Sequence, residues 1–191
     1  MIPLRDNIPS RTRPVVNVTL IVVNVLVFLY QLALGPYLLN SFVHEFAVIP
    51  WQYFHGVYVT SGGALRPVSA PDLIVPLFTS MFLHAGWLHL IGNMLYLWIF
   101  GDNVEDRLGH GRYLIFYILC GIGAALAHIF FNAGSRLPSL GASGAIAGVL
   151  SAYLLLYPRA RVLVLLPLFI FFPVIEVPAL FFLGFWFFQQ F

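Results

Sequence analysis

Three residues in this sequence have the types and spacing to do chemistry together. Ser143 stands between Gly141-Ala142 and Gly144-Ala145-Ile146-Ala147-Gly148, at the mouth of an apolar run. Its hydroxyl becomes a nucleophile when a base takes its proton. Gly141 lets the backbone bend sharply there and turn N–H groups toward a developing oxyanion. Upstream, His89 and Asn93 are four residues apart, so on a helix they project from one face. An imidazole N–H and an amide NH₂, set opposite the Ser143 backbone N–H, form a donor set suited to a tetrahedral oxyanion. The dipole of a helix starting at Ser143 points its positive end at the same place. Ser80 and His84 are placed to line a polar cavity that admits water. Each piece also has a plainer reading. Ser143 can cap a membrane helix, Gly144 and Gly148 can serve close packing alone, and His89 with Asn93 can be an interhelical hydrogen-bonded pair.

The elements that must position these residues are apolar. The 191 residues are 61% hydrophobic, 17% aromatic and only 8% charged, with a mean hydropathy of +0.93. A soluble core of this length cannot bury so much apolar side chain, so lipid is the expected solvent. The expected fold is an all-α membrane protein, a polytopic helical bundle forming a single domain over 1–191. Its spans are read at about 15–34, 77–100, 113–131, 141–157 and 174–191, with Gly101-Asp102-Asn103 ending the second. Asn17 and Asn24 are seven apart and share a face of the first span that meets other helices. Residues 35–75 carry Pro36, Pro50, Pro67 and Pro71, the turn-like Ser61-Gly62-Gly63 and the ring side chains Trp51, Tyr53, Phe54 and Tyr58. This stretch reads as a long interfacial loop.

Arginine placement sets the orientation. With the N-terminus cytoplasmic, the inner segments hold Arg5, Arg11, Arg13, Arg107, Arg112, Arg159 and Arg161, and the outer ones only Arg66 and Arg136. The start of the fourth span and the His89 end of the second then meet near the outer face. A net charge of +2 with no basic run excludes a nucleic-acid surface. Cys120 is alone, and no histidine, cysteine and carboxylate set stands at ligand spacing, so neither a metal nor another cofactor is expected. No span carries a central carboxylate and no inverted repeat is visible, which argues against a transporter.

Gly141-Ala142-Ser143-Gly144, His89-Leu90-Ile91-Gly92-Asn93 and Gly101-Asp102-Asn103-Val104-Glu105-Asp106-Arg107-Leu108-Gly109 together resemble the rhomboid intramembrane serine proteases. The opening Met1-Ile2-Pro3-Leu4-Arg5-Asp6 and the late Leu183-Gly184-Phe185-Trp186 are similar to prokaryotic members. The resemblance implies an endopeptidase that cleaves transmembrane segments of membrane proteins. Ser143 would be the nucleophile, and His89 and Asn93 would complete the oxyanion hole with the Ser143 N–H. The Glu105/Arg107 stretch would organise the inner end of the second and third spans. It also implies a multi-pass protein of the prokaryotic inner membrane, its active site open to the outer face, acting on transmembrane substrates within the bilayer; oligomeric state is left open. Where some members carry a Trp-Arg pair before the second span, this chain has Val75-Pro76. The family pairs its serine with a histidine on a sixth span, and no histidine follows Ser143 as far as Phe191. The expectation is therefore that these residues are part of a longer enzyme, with the general base beyond Phe191 and no proteolysis by this stretch alone. Two alternatives stay open: a non-catalytic rhomboid-like binder or chaperone of membrane proteins, and His128 as the base.

Overall fold

A computed structural model describes residues 1–60, 62–167 and 171–188; Ser61 of the expected turn and the last residues of the expected fifth span lie outside them. In chain order the elements are β1 (Ile2–Asp6), α1 (Val15–Ala33), α2 (Pro36–Phe46), α3 (Pro50–His55), β2 (Val57–Val59), β3 (Leu65–Pro67), α4 (Ala70–Thr79), a 3₁₀ turn (Ser80–Phe82), α5 (Trp87–Leu108), α6 (His110–Phe131), α7 (Ser143–Leu156), β4 (Arg161–Leu165), β5 (Val174–Pro178) and α8 (Ala179–Phe188).

Helix α1 is apolar on most of its circumference and polar along one stripe. Asn17, Asn24 and Gln31, each seven residues from the next, are all buried. Asn17 donates from Nδ2 to the Leu97 carbonyl at 2.9 Å and accepts from the Tyr113 hydroxyl at 2.7 Å, joining α1 to α5 and α6. Polar groups in an apolar interior are stable only when paired in this way. The N-cap position of α1 is Pro14, which has no side-chain acceptor. Glu105 of α5 substitutes for it: its carboxylate accepts the N–H groups of Val16 at 2.9 Å and Asn17 at 2.7 Å, and also bonds His110 Nδ1. A negative group at a helix N-terminus satisfies otherwise unpaired donors and complements the dipole.

Helices α6 and α7 lie close enough that a Cβ at Gly144 would stand 2.5 Å from Ala124 Cβ, and one at Gly148 2.3 Å from Cys120 Sγ. The small-residue pattern of both helices thus serves backbone approach. The largest buried side chains, including Tyr113, Tyr117, Tyr153, Phe100 and Phe182, fill one core between α1, α5, α6, α7 and α8.

Several expectations are corrected. The second span is not one helix over 77–100: α4 and its 3₁₀ turn meet α5 at a bend of 78°, with residues 83–86 outside any helix. Gly101-Asp102-Asn103 does not end α5, which runs on to Leu108 because Asp102, Asn103 and Glu105 all find partners in the N-terminal segment. The interfacial loop 35–75 holds α2, α3, the β2–β3 hairpin and the start of α4. Among the described residues two helices, α1 and α6, are long and apolar enough to cross a bilayer, and three if the bent α4–α5 pair counts as one. The 14 residues of α7 span only roughly 21 Å, short of the roughly 30 Å hydrocarbon core; α8 is described over Ala179–Phe188. Nor is the chain all-α. β1, β4 and β5 form an antiparallel sheet in the order β1-β4-β5, with Ile2 opposite Leu165 and Arg161 opposite Pro178.

Candidate active site

Ser143 is the first residue of α7, following Ala142 at the N-cap. The first i→i−4 bond of the helix runs from the Ile146 N–H to the Ala142 carbonyl, so the N–H groups of Ser143, Gly144 and Ala145 precede it, free of helical partners. Gly141 has φ +126°, a conformation that favours glycine. Its own N–H donates to the Ser80 carbonyl at 2.9 Å and is therefore not an oxyanion donor; that role falls to the helix start. A Cβ built on Gly141 would meet His89 Cε1 at 2.6 Å, His89 Nε2 at 2.7 Å and Asn93 Nδ2 at 3.8 Å. The histidine and the asparagine are thus gathered against the serine loop, as their four-residue spacing required. The Ala85 N–H lies 3.4 Å from His89 Nδ1, which can take it only as an acceptor, so the ring proton is on Nε2, the nitrogen turned to Gly141.

Ser143 faces a cavity of about 190 Å³ between the 3₁₀ turn, α6 and α7, with Ser80, His128, Gly121, Ala124 and Gly144 on its walls. A second, more open cavity of about 450 Å³ lies beyond Leu140, bounded by His89, His128, Asn132 and Ser135. His128, Ser139 and Leu140 border both, so the two cavities adjoin. Ser80 lines the inner cavity. His84 does not: it is 2% exposed, behind Asn93, whose amide Nδ2 donates to His84 Nε2 at 3.0 Å. The His128 ring has Asn132 Nδ2 at 3.3 Å from its Nδ1. Among the described residues Ser143 Oγ has no hydrogen-bond partner. The described residues also contain no group of three or more histidine, cysteine or carboxylate side chains able to hold a metal.

Two features here escape a sequence reading. The segment between α2 and α3 is strapped to the serine loop, with Val48 N–H to Ser139 O at 3.0 Å, Ser139 N–H to Val48 O at 2.7 Å and Trp51 N–H to Ser135 O at 2.9 Å. Gln31 reaches the backbone of His84. Its signal was present as the third member of the seven-residue series begun by Asn17 and Asn24.

The Rhomboid domain family model matches residues 72–190, more than half of the chain, including His89, Asn93 and Ser143. The chain belongs to the rhomboid family. Rhomboid protease GluP of Bacillus subtilis (strain 168) is 46% identical over 78 residues, 41% of this chain and 15% of GluP. Presenilin-associated rhomboid-like protein A, mitochondrial, of Danio rerio is 38% identical over 119 residues, 61% of this chain and 30% of that protein. Rhomboid protein 1, mitochondrial, of Saccharomyces cerevisiae (strain ATCC 204508 / S288c) is 37% identical over 93 residues, 47% of this chain and 27% of that protein. This rhomboid therefore spans less than a third of the length of these relatives. It is an integral membrane protein of a family that includes serine proteases acting within the bilayer. The relatives come from a bacterium and from mitochondria, so the comparison sets the chain in a membrane without selecting the prokaryotic inner membrane.

Proposed function

We propose that the protein is an intramembrane serine endopeptidase whose substrates are transmembrane segments of other membrane proteins. The observation that carries this reading is the convergence of His89 and Asn93 on Gly141, two residues before Ser143. On this reading Ser143 Oγ attacks the carbonyl carbon of a scissile peptide bond and gives its proton to a histidine base. The tetrahedral oxyanion is held by the Ser143 N–H, His89 Nε2–H and Asn93 Nδ2–H. The base returns the proton to the leaving amine, and an acyl-enzyme forms. Water entering by the two cavities then hydrolyses the ester, so no metal or organic cofactor takes part.

The base is a histidine beyond Phe191, as in the family pattern, and His128 helps bound the water route. The active protein has an N-terminus in the cytoplasm and a site open to the opposite face, as the arginine distribution requires. Its full span count exceeds the helices long enough to cross by themselves, with α7 beginning below the outer surface so that Ser143 lies at depth.

The test is labelling of the full-length protein with a fluorophosphonate probe. Wild type is expected to label and Ser143→Ala to stay unlabelled; equal labelling of the two removes Ser143 from the chemistry. His89→Ala and Asn93→Ala should each slow turnover roughly 10- to 1000-fold, the effect of losing an oxyanion donor. The rival is a non-catalytic rhomboid-like binder on the same scaffold. That rival predicts no labelling of the full-length protein together with retained capture of a transmembrane segment.

A further inference from the structure

Residues 83–86 interrupt the bent α4–α5 pair, so the backbone of His84 has no helical partners. Gln31, 4% exposed near the end of α1, supplies both. The His84 N–H donates to Gln31 Oε1 at 3.0 Å, and Gln31 Nε2 donates to the His84 carbonyl at 3.2 Å. One side-chain amide thus clamps one residue at two points, as a neighbouring strand would. The clamped residue in turn holds Asn93. An amide nitrogen can only donate, so at the 3.0 Å contact His84 Nε2 accepts.

The same Asn93 nitrogen lies 3.8 Å from where a Cβ on Gly141 would stand, so the group that rests on His84 also faces the serine loop.

We infer that Gln31 is a positioning residue. By clamping the His84 backbone it holds in place the ring on which the Asn93 amide rests, so a residue of α1 positions a donor of a site built by α5 and α7. This rests on the reading of Asn93 as an oxyanion donor. It makes α1 more than a packing helix for the reaction, although no atom of α1 touches the reacting groups.

The test measures phosphonylation rate by a fluorophosphonate probe in the full-length protein, beside thermal unfolding, for Gln31→Met, Asn93→Ala and the double variant. Gln31→Met keeps the side-chain length and removes both clamp bonds. The expected results are roughly 10- to 100-fold slower labelling by Gln31→Met, a part of the roughly 100- to 1000-fold loss expected for Asn93→Ala, and a double variant within about twofold of Asn93→Ala alone. A purely structural Gln31 slows both backgrounds by the same factor, which overturns the inference, as does wild-type labelling by Gln31→Met. If Gln31→Met does not fold, Gln31→Glu, which keeps the acceptor for the His84 N–H, is held to the same coupling criterion. Wild-type labelling by Asn93→Ala would remove the donor reading itself and this inference with it. Slow Asn93→Ala beside unaffected Gln31 variants removes only the clamp.

Discussion

At Gly141 a positive φ and the His89 ring act on the same atom, because a side chain would be strained by the backbone and would collide with the imidazole. Gly141→Ala is therefore expected to displace His89, slowing phosphonylation of Ser143 by roughly 100-fold or more. The accompanying loss of stability should be only about 1–3 kcal/mol. Labelling kinetics and chemical denaturation separate the two effects; a variant that unfolds without slowing in proportion would leave Gly141 a purely architectural role. His89 and Asn93 were legible as candidates because imidazole and amide are rare in apolar runs and their interval matches one helical face, and Ser143 because it stands among glycines at the start of another apolar run. Gln31 was not legible as a functional residue. Its partners are backbone atoms exposed by the break at 83–86, and that break is hidden inside an apolar stretch long enough to pass for a single span.

Two contacts between elements can be broken one at a time. Gly148→Leu would push a branched side chain into Cys120 and part α6 from α7, expected to cost about 3 kcal/mol by overpacking and to lower the thermal midpoint. Glu105→Ala would strip the cap from α1 and leave the Val16 and Asn17 N–H groups without an acceptor, a loss of about 2–4 kcal/mol measurable by denaturant unfolding. A Glu105→Ala protein as stable as wild type would show that water replaces the carboxylate. Glu105 was expected to organise the inner end of the second and third spans. It does bond His110 at the start of α6, yet its larger role is toward α1, a partner 89 residues away that periodicity cannot reveal. Helices α1, α6 and α7 were legible from apolar runs with small-residue or polar stripes. The β1-β4-β5 sheet was not, because its strands are five residues each and β1 pairs with β4 from the far end of the sequence.

Across the whole molecule the charged residues sort by end. Thr12 bonds Asp106 through both N–H and hydroxyl, the Arg161 N–H donates to Asn7 Oδ1, and Asp6 accepts from Tyr153 and Asn103, so the N-terminal segment that carries Arg5, Arg11 and Arg13 packs beside Asp106 and Arg161. Burial raises the Asp6 carboxyl to about 6, opposed by the Tyr153 hydrogen bond and reinforced by Asp102. The folded state then binds this proton more tightly than the unfolded chain, whose carboxyl titrates near the ordinary 3.8. The contribution of Asp6 therefore favours the fold below about pH 4 and is lost as pH rises through about 6. Partial solvent access tempers its size. Asp6→Asn is expected to flatten stability between those limits, read from unfolding midpoints at stepped pH; an unchanged slope assigns the dependence elsewhere. The β1–β4 pairing has a consequence for biosynthesis. Ile2 is made long before its partner Leu165, which emerges only after helices α1 to α7. Throughout that interval β1 has no ladder to join and stays open to an added endoprotease. Nascent chains arrested ahead of Arg161 should be cut within Ile2–Asp6, whereas those that have released β4 should resist, making protection of this strand a clock for completion of the fold.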